Sequence, residues 1–392
     1  MEISVESLAP GPLLEEWSAL SRTSPSGVFA TPEWHLAVQK AYAHRGQATV
    51  LACWEHGRLV GAAPLRFSSH LLLRDATWLG MGQGGYGLGD YSGLTAAPGR
   101  ERDVTRLVLA WLIERGGWDL LDLQQLPPGD LTEALVEAIR RSGLRFILRP
   151  HNTCHVVDLP PTWAAYRSRL SPGTRDWLER KPRKAERELQ ATVELVGSDD
   201  LLAEYATMRR FQADRFGAHS AESERKLTVV IAEWLQLAHD RNWLRMFRLR
   251  AGARTIGVLL GYEYGSAFYF HSAAFETLGE GSKYSLGASL LSAALRFSID
   301  RGLQRFDMLR GHYEYKGRLG SEKRYNYRII AFRSSVTGRA VEAGLHMRAM
   351  LKGTRPWRRD AASPLVDPPV AEASESPARV AEDLAGAAVR VE

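Results

Sequence analysis

The segment TIGVLLGYEYGSAFYFHSAA, residues 255–274, decides the fold, because two apolar and aromatic runs meet in it on either side of Gly265. Runs of this composition, bounded by glycine, predict neighbouring β-strands. Around them, apolar residues recur at helical or at alternating spacing. The elements predicted for this half are helices over 201–216 and 226–241, strands over 244–250, 255–264 and 266–274, a helix over 286–301 and a strand over 305–308.

The first half of the chain repeats this order of elements. A hairpin is predicted over 47–67, with its turn at 56–58, and a glycine-rich loop over 81–89 follows. The turn at 251–254 parallels the turn at 56–58, and the Gly257 segment parallels the Gly61 segment. The remaining elements predicted for this half are a helix over 102–116, a strand over 118–123, a helix over 131–142 and a strand over 145–148.

The two patterns predict an α/β protein with two tandem domains, each a mixed, mostly antiparallel sheet flanked by helices. A length of 392 residues suits two cores. Between the halves, a stretch rich in Arg and Lys predicts helix broken at Pro172 and Pro182. The predicted segments are an N-terminal domain (1–155), a basic helical connector (156–195), a C-terminal catalytic domain (196–338), a basic helical extension (339–360) and a disordered tail (361–392).

Composition excludes several classes of protein. Cys53 and Cys154 stand far apart in the sequence, which favours neither a disulfide scaffold nor a metal site. No apolar stretch approaches the length of a membrane span, and the first residues do not resemble a secretory signal. We therefore expect a cytoplasmic protein without a metal. The net charge of +6 is too small to indicate a nucleic acid as partner.

The densest cluster of polar and aromatic residues is FDMLRGHYEYKGRLG, residues 306–320. It begins as a strand and continues as a loop, and a loop at this position delivers polar side chains to the edge of a sheet. Arg310, Tyr315 and Lys316 are therefore the leading functional candidates. The alternative is structural: Asp307 pairs with Arg310, and the tyrosines pack on the sheet.

These residues carry a resemblance to a known family. The chain resembles the CelD/BioF-like acetyltransferase group of the GNAT superfamily over roughly residues 28–332. The resemblance implies acyl transfer from acetyl-CoA or another acyl-CoA to an amine or hydroxyl acceptor, in polysaccharide or cell-envelope synthesis. The matching segments are FATPEW (29–34), GAAPL (61–65), GDY (89–91), YSLG (284–287), Asp307, Arg310-Gly311 and Tyr315-Lys316.

The group is also similar to the Fem-type peptidyltransferases, which use aminoacyl-tRNA. An aromatic-lysine pair that matches Tyr315 and Lys316 is associated there with stabilising the oxyanion of the transition state. The role makes chemical sense, because a fixed cation near the developing charge acts more strongly on the transition state than on the ground state. The resemblance thus implies that Lys316 has an electrostatic role in catalysis.

The same resemblance implies a place for the acyl donor. The GNAT fold binds the pyrophosphate of coenzyme A at the start of the helix after its central strand, where free N–H groups attract an anion. The counterpart here is 281–287, with Ser282, Lys283, Ser285 and Gly287 as candidate donor-binding residues. The spacing of its glycines departs from the usual family pattern.

Acyl transfer also needs a general base and a site for the acceptor. His271, Asp307 and Glu314 are candidates for the base, although a histidine on a strand is more often a packed residue. Asp90 and Tyr91, after the glycine loop, are candidates for holding the acceptor, or they anchor their own loop.

Three functions therefore stay open: acyl-CoA-dependent acyltransferase, aminoacyl-tRNA-dependent transferase, and a binding module that has lost catalysis. The tRNA alternative would use the basic connector as a phosphate-binding surface. The basic extension at 339–360 either docks on its own domain or makes peripheral contact with an anionic membrane.

Overall fold

The structure is a computed structural model that describes residues 1–24, 27–42, 48–70, 73–78, 89–91, 93–217, 221–277, 284–311 and 313–351. Its contacts divide the chain into two compact units. The first unit combines Met1–Thr153 with the segment that begins at Arg324, and the second unit is Cys154–Lys323.

The elements alternate between sheet and helix, as the sequence pattern predicts. The strands are β1 (Glu2–Ser7), β2 (Thr49–Glu55), β3 (Arg58–His70), β4 (Leu73–Trp78), β5 (Thr95–Ala96), β6 (Leu120–Leu126), β7 (Arg145–Asp158), β8 (Ala191–Leu195), β9 (Leu244–Ala251), β10 (Arg254–Tyr264), β11 (Ala267–Phe275), β12 (Arg305–Arg310) and β13 (Glu322–Phe332). The helices are α1 (Pro12–Thr23), α2 (Pro32–Tyr42), α3 (Glu101–Arg115), α4 (Asp130–Arg141), α5 (Trp163–Ser168), α6 (Pro172–Leu189), α7 (Leu201–Phe216), α8 (Ala221–Asp240), α9 (Leu286–Asp300), α10 (Glu314–Arg318) and α11 (Val336–Leu351).

The two units have the same sheet topology. In the first, the strand order runs β1-β2-β3-β4-β6-β13, and in the second it runs β8-β9-β10-β11-β12-β7. In each order the first three pairs are antiparallel, the fourth is parallel and the fifth is antiparallel. The predicted fold of two related halves, each with a mixed and mostly antiparallel sheet, is thereby confirmed.

The repeat extends to single residues. One strand in each unit bulges one residue before a glycine, Gly61 in β3 and Gly257 in β10. A Cβ added at Gly61 would lie 2.5 Å from Val104 of α3, and one added at Gly257 would lie 3.1 Å from Leu290 of α9. Both glycines therefore let the corresponding helix lie close on the sheet, which supports the predicted equivalence of their segments.

Each unit takes its last strand from a distant part of the chain. In the first unit, β13 pairs with β6, and Ile329 lies opposite Leu123. In the second, the end of β7 pairs with β12, and Val156 lies opposite Asp307. The units are therefore divided differently from the predicted segments: residues 324–338 group with the first unit, because the pairing of β13 with β6 outweighs its position in the sequence.

The predicted connector lies within the second unit. The predicted break at Pro172 is confirmed, because α5 ends at Ser168 and α6 begins at Pro172. The side chain of Ser171 caps α6 by accepting a hydrogen bond from the N–H of Thr174. The predicted break at Pro182 is wrong, because α6 continues to Leu189. Burial of Leu178 and Ala185 in the core of the unit offsets the backbone hydrogen bond that proline cannot make.

Helix α11 accounts for the start of the predicted basic extension. Its Val341 and Leu345 pack on a small cluster of buried side chains from β6, β7 and β13 in the first unit. The rest of the extension, the predicted tail and most of the glycine-rich loop lie outside the described residues. Within the described ranges, no helix combines the length and apolar character needed to cross a membrane.

Candidate functional site

The parallel ladder between β11 and β12 ends early. Its last pair is Tyr269 with Asp307, although β11 continues to Phe275 and β12 continues to Arg310. The parts of the two strands beyond this pair carry His271 and Arg310. Two parallel strands that stop pairing leave room at their carboxyl ends, where ligands commonly bind in α/β folds.

The end of β12 has an irregular backbone. Its pairing with β7 shifts register between Asp307 and Arg310, and Leu309 adopts a left-handed conformation with φ of 53°. The N–H of Leu309 donates to Oδ1 of Asp307 at 2.8 Å, so the side chain of Asp307 supports the bend. Gly311 follows with φ of 114°, a region that favours glycine.

Lys316 is buried under this bend, with 2% of its surface exposed. Its Nζ donates to the carbonyl oxygens of Met308, Leu309 and Arg310 at 2.7, 3.3 and 2.9 Å. The ammonium also lies 5.5 Å from the centre of the Tyr313 ring. Three acceptors match the three N–H donors of a charged lysine, so the arrangement holds a cation inside the unit.

Tyr315 lies in an aromatic cluster beside Lys316. Its ring centre is 6.0 Å from that of Tyr313 and 6.3 Å from that of Trp177 in α6. Burial raises the pKa of Tyr315 above its ordinary value, and the nearby Tyr313 adds a smaller effect in the same direction. The phenol is therefore protonated at neutral pH and is able to donate a hydrogen bond.

His271 and Arg310 lie on opposite strands of the opening and interact electrostatically. The pKa of His271 is lowered to about 4, mainly because the ring is buried and to a smaller extent because Arg310 is positively charged. The ring also makes an edge contact with Tyr262, with centres 5.8 Å apart. His271 is therefore neutral at pH 7, as a general base must be.

The predicted donor-binding segment is described only in part. Ser282 and Lys283 lie outside the described residues. Ser285 precedes α9 in a left-handed conformation, and its hydroxyl oxygen accepts a hydrogen bond from Nε1 of Trp177 at 2.7 Å. A Cβ at Gly287 would come within 2.8 Å of Phe275, so glycine there lets α9 begin close to the end of β11.

Comparison with known proteins places this geometry in a family. Residues 172–317, which run from the start of α6 to the residue after Lys316, match the family described as an acetyltransferase (GNAT) domain. Over these residues the chain is similar to a GNAT domain. The predicted resemblance to the GNAT superfamily is thereby confirmed, and GNAT-fold proteins form a family of acyltransferases. The match includes α6, which groups with the second unit.

Solved structures share the fold over most of the chain. FemX superposes with a TM-score of 0.62 at 9% identity, covering 88% of this chain and 99% of FemX. The C-terminal domain of a putative lysylphosphatidylglycerol synthetase from Agrobacterium fabrum gives 0.50 at 12% identity, covering 88% and 98%. A protein of unknown function from Bacteroides thetaiotaomicron gives 0.54 at 9% identity, covering 85% and 100%. None of the curated proteins compared with the sequence matches it significantly.

The second unit also contains two residues that the sequence pattern did not single out, His155 and Ser321. Ser321 donates its hydroxyl proton to the carbonyl oxygen of Lys316 at 2.8 Å, and Nδ1 of His155 lies 2.9 Å from the same hydroxyl. Because the serine proton is committed to the carbonyl, His155 must donate from Nδ1. The β-branched residues Thr153, Val156 and Val157 favour a strand around His155, but no spacing in the sequence connects positions 155 and 321.

Two predicted acceptor-binding residues lie in the other unit. Asp90 is buried, with 4% exposed, and Tyr91 has a left-handed backbone with φ of 56°. Tyr91 lines a cavity of about 20 Å³ together with Leu126 and Thr132, a volume that suits about one water molecule. Glu314, the other candidate base, is exposed and pairs with Arg318 within α10. Among the described residues no cluster of His, Cys, Asp and Glu could hold a metal ion.

The pKa of His271 in the GNAT domain predicts a loss of stability in acid. The unfolded histidine titrates near pH 6.5 and the folded one near pH 4, so the unfolded state binds more protons between these values. Stability therefore falls as the pH is lowered from about 6.5 to 4, and His271 accounts for about 2 kcal/mol of the fall at pH 4.5. Urea unfolding of the wild type and His271→Gln at pH 7 and 4.5 measures this.

The His271→Gln variant should lose less stability between the two pH values than the wild type. His35, whose pKa burial lowers to about 3, is present in both proteins and does not affect the comparison. Equal losses in the two proteins would contradict the assignment to His271.

Proposed function

We propose that the protein is an acyltransferase that moves an acyl group from acyl-CoA to an amine or hydroxyl acceptor, with its site in the second unit. The observation that carries the proposal is the early end of the β11–β12 ladder at Tyr269 and Asp307. His271 and Arg310 lie on the parts of β11 and β12 beyond this pair, Tyr315 follows in α10, and the family match covers all three residues. As the family resemblance implies, the acceptor belongs to polysaccharide or envelope synthesis.

The proposed reaction is direct transfer without a covalent enzyme intermediate. The acceptor nitrogen or oxygen attacks the thioester carbonyl, the new bond to carbon forms, and the carbon–sulfur bond breaks to release coenzyme A. Neutral His271 takes the proton of the nucleophile. Tyr315 donates a proton or hydrogen bond to the departing sulfur, and Asp307 keeps the end of β12 bent.

Negative charge builds on the carbonyl oxygen during the attack. Two cations, Arg310 and Lys316, act in the reaction. Arg310 binds an anionic part of the substrates, and the buried charge of Lys316 stabilises the oxyanion. Because Gly311 has no side chain, the substrate is able to approach the backbone between Arg310 and Lys316. Ser282, Lys283, Ser285 and Gly287 bind the pyrophosphate of the donor.

Binding of acetyl-CoA, and its dependence on Arg310, tests the proposal. A ligand that binds only the folded state raises the unfolding temperature, so acetyl-CoA should stabilise the wild type. Arg310→Ala should weaken the binding of acetyl-CoA by about 10- to 100-fold, the usual cost of losing a hydrogen bond to a charged group. Thermal shift against acetyl-CoA, longer acyl-CoAs and tRNA provides the measurement.

Arg318→Ala is a matched control, because Arg318 is an exposed arginine eight positions later that pairs with Glu314. It should bind acetyl-CoA as the wild type does. Equal binding by the wild type and Arg310→Ala would place the site elsewhere, and no stabilisation by any acyl donor would favour a non-catalytic binding module.

A second candidate function is transfer from aminoacyl-tRNA, and the charge of α6 favours it. This helix carries cations at Arg175, Arg180, Lys181, Arg183, Lys184 and Arg187. Among them, Arg180 pairs with Asp176 and Lys184 pairs with Glu188. Stabilisation by tRNA that disappears steeply with salt, without stabilisation by acetyl-CoA, would support this function instead.

A further inference from the structure

We infer that the backbone N–H of Gly311 is the hydrogen-bond donor to the acyl carbonyl oxygen, and that Lys316 is a positioning residue that holds this N–H in place. The inference rests on the proposed function and assigns the donor within that site. It differs from a direct contact between the lysine and the oxyanion.

The ammonium of Lys316 is directed at the backbone of β12. A charged lysine has three N–H bonds. The Nζ of Lys316 contacts three carbonyl oxygens, those of Met308, Leu309 and Arg310, all within 3.3 Å. A hydrogen bond from this ammonium to a substrate would break one of these bonds and leave a buried carbonyl unsatisfied, which is unfavourable. The ammonium therefore acts on the substrate through the backbone that it holds.

The contact with Lys316 fixes the direction of the peptide group between Arg310 and Gly311. No peptide bond in the described chain is cis. In a trans peptide, the N–H points away from the C=O of the preceding residue. Because the carbonyl of Arg310 faces the Lys316 ammonium, the N–H of Gly311 points to the opposite side. The cation polarises this peptide and strengthens its N–H as a donor.

Three backbone N–H groups at the end of β12 could contact a substrate, those of Leu309, Arg310 and Gly311. The N–H of Leu309 donates to Asp307, and Arg310 lies in the ladder opposite Cys154. Within the residues that the structure describes, the N–H of Gly311 has no acceptor. Gly311 is also partly exposed, so a substrate atom is able to approach it.

The residue at position 311 must be glycine for this arrangement. Its φ of 114° strains any L-residue, and a Cβ would lie 2.9 Å from the ring of Tyr313. Both constraints favour glycine where the backbone itself contacts a ligand.

The test removes one N–H and leaves the side chains unchanged. Cell-free translation with glycolic acid in place of Gly311 converts that amide into an ester, which has no donor. The probe is [1-¹³C]acetyl-CoA, whose thioester carbonyl stretch is measured by infrared difference spectroscopy on the bound complex. In the wild type the stretch should move to lower frequency than in water, and the ester at position 311 should abolish this movement. Turnover should fall about 10²-fold, the usual effect of losing one oxyanion donor.

The matched control is the same ester at Gly320. This glycine also has a left-handed backbone, with φ of 71°, and its N–H likewise has no acceptor among the described residues. The control should keep the infrared shift. The Lys316→Met variant, which keeps the N–H and removes the cation, should show a smaller shift and a lower unfolding temperature.

The outcomes separate the inference from the proposed function. If the wild type does not bind acetyl-CoA, the proposed function fails and the inference falls with it. If acetyl-CoA binds but the ester at Gly311 keeps the full shift, only the inference is overturned. Loss of the shift in Lys316→Met alone would identify the ammonium as the donor, and equal loss in both esters would also overturn the inference.

Discussion

Truncation after Lys323 should unfold the first unit. The missing β13 contributes Ile329, Ile330 and Phe332, which are each at most 2% exposed. Burying a side chain of this size stabilises a protein by about 1.5–3 kcal/mol, so the three together approach the 5–15 kcal/mol that holds a typical domain. The truncation also leaves the hydrogen-bonding edge of β6 without its partner.

The measurement is hydrogen exchange of peptides from β6 in chains 1–323 and 1–351. The longer chain keeps all described strands and should protect these peptides as the full-length protein does. In the shorter chain the peptides should exchange at the rate of an unfolded chain. Full protection of β6 in chain 1–323 would show that the first unit does not depend on its last strand.

Asp122→Ala should strongly destabilise the first unit. Asp122 is 2% exposed and accepts from Nε and Nη2 of Arg328 at 2.7 and 2.8 Å. Arg328 is equally buried. Removal of the carboxylate leaves the guanidinium buried without its counter-charge, which costs about 3–5 kcal/mol. Chemical denaturation of the wild type and the variant measures the loss.

Two further variants show whether the buried charge is the cause. Asp103→Ala removes an exposed carboxylate that pairs with Arg106, so it should cost less than about 1 kcal/mol. Adding Arg328→Met to Asp122→Ala removes both charges and should restore much of the stability. A double variant no more stable than Asp122→Ala would contradict this explanation.

The same pair links the stability of the first unit to pH. Burial by itself disfavours the charged form of Asp122, but the charge and hydrogen bonds of Arg328 outweigh it, so the pKa lies below its ordinary value. The stabilisation is therefore present above the unfolded pKa near 4 and is lost as the pH falls through the folded pKa.

Local patterns were sufficient for much of the fold. The hairpin at 47–67 corresponds to β2 and β3, and the helix at 286–301 corresponds to α9. These elements depend on apolar periodicity and on turn residues a few positions apart, which the sequence displays directly. Proline at 182 does not break the helix, because the packing of α6 on the core offsets the loss of one hydrogen bond.

The candidate site was predicted as a segment, and its geometry was not. Strand β12 and the polar residues after it were visible in residues 306–320. The three carbonyls around Lys316 were not visible, because they depend on the left-handed backbone at Leu309 and on the return of the chain through α10.

The sequence by itself determined the order of strands and helices, the repetition of that order, and the position of the polar segment at the end of a strand. Periodicity and composition act over a few residues, so they are legible without the fold. Only the tertiary structure decided which distant strand completes each sheet and where the ammonium of Lys316 points. Both depend on hydrogen bonds and packing between residues far apart in the chain, such as Leu123 and Ile329, whose pairing no local pattern records.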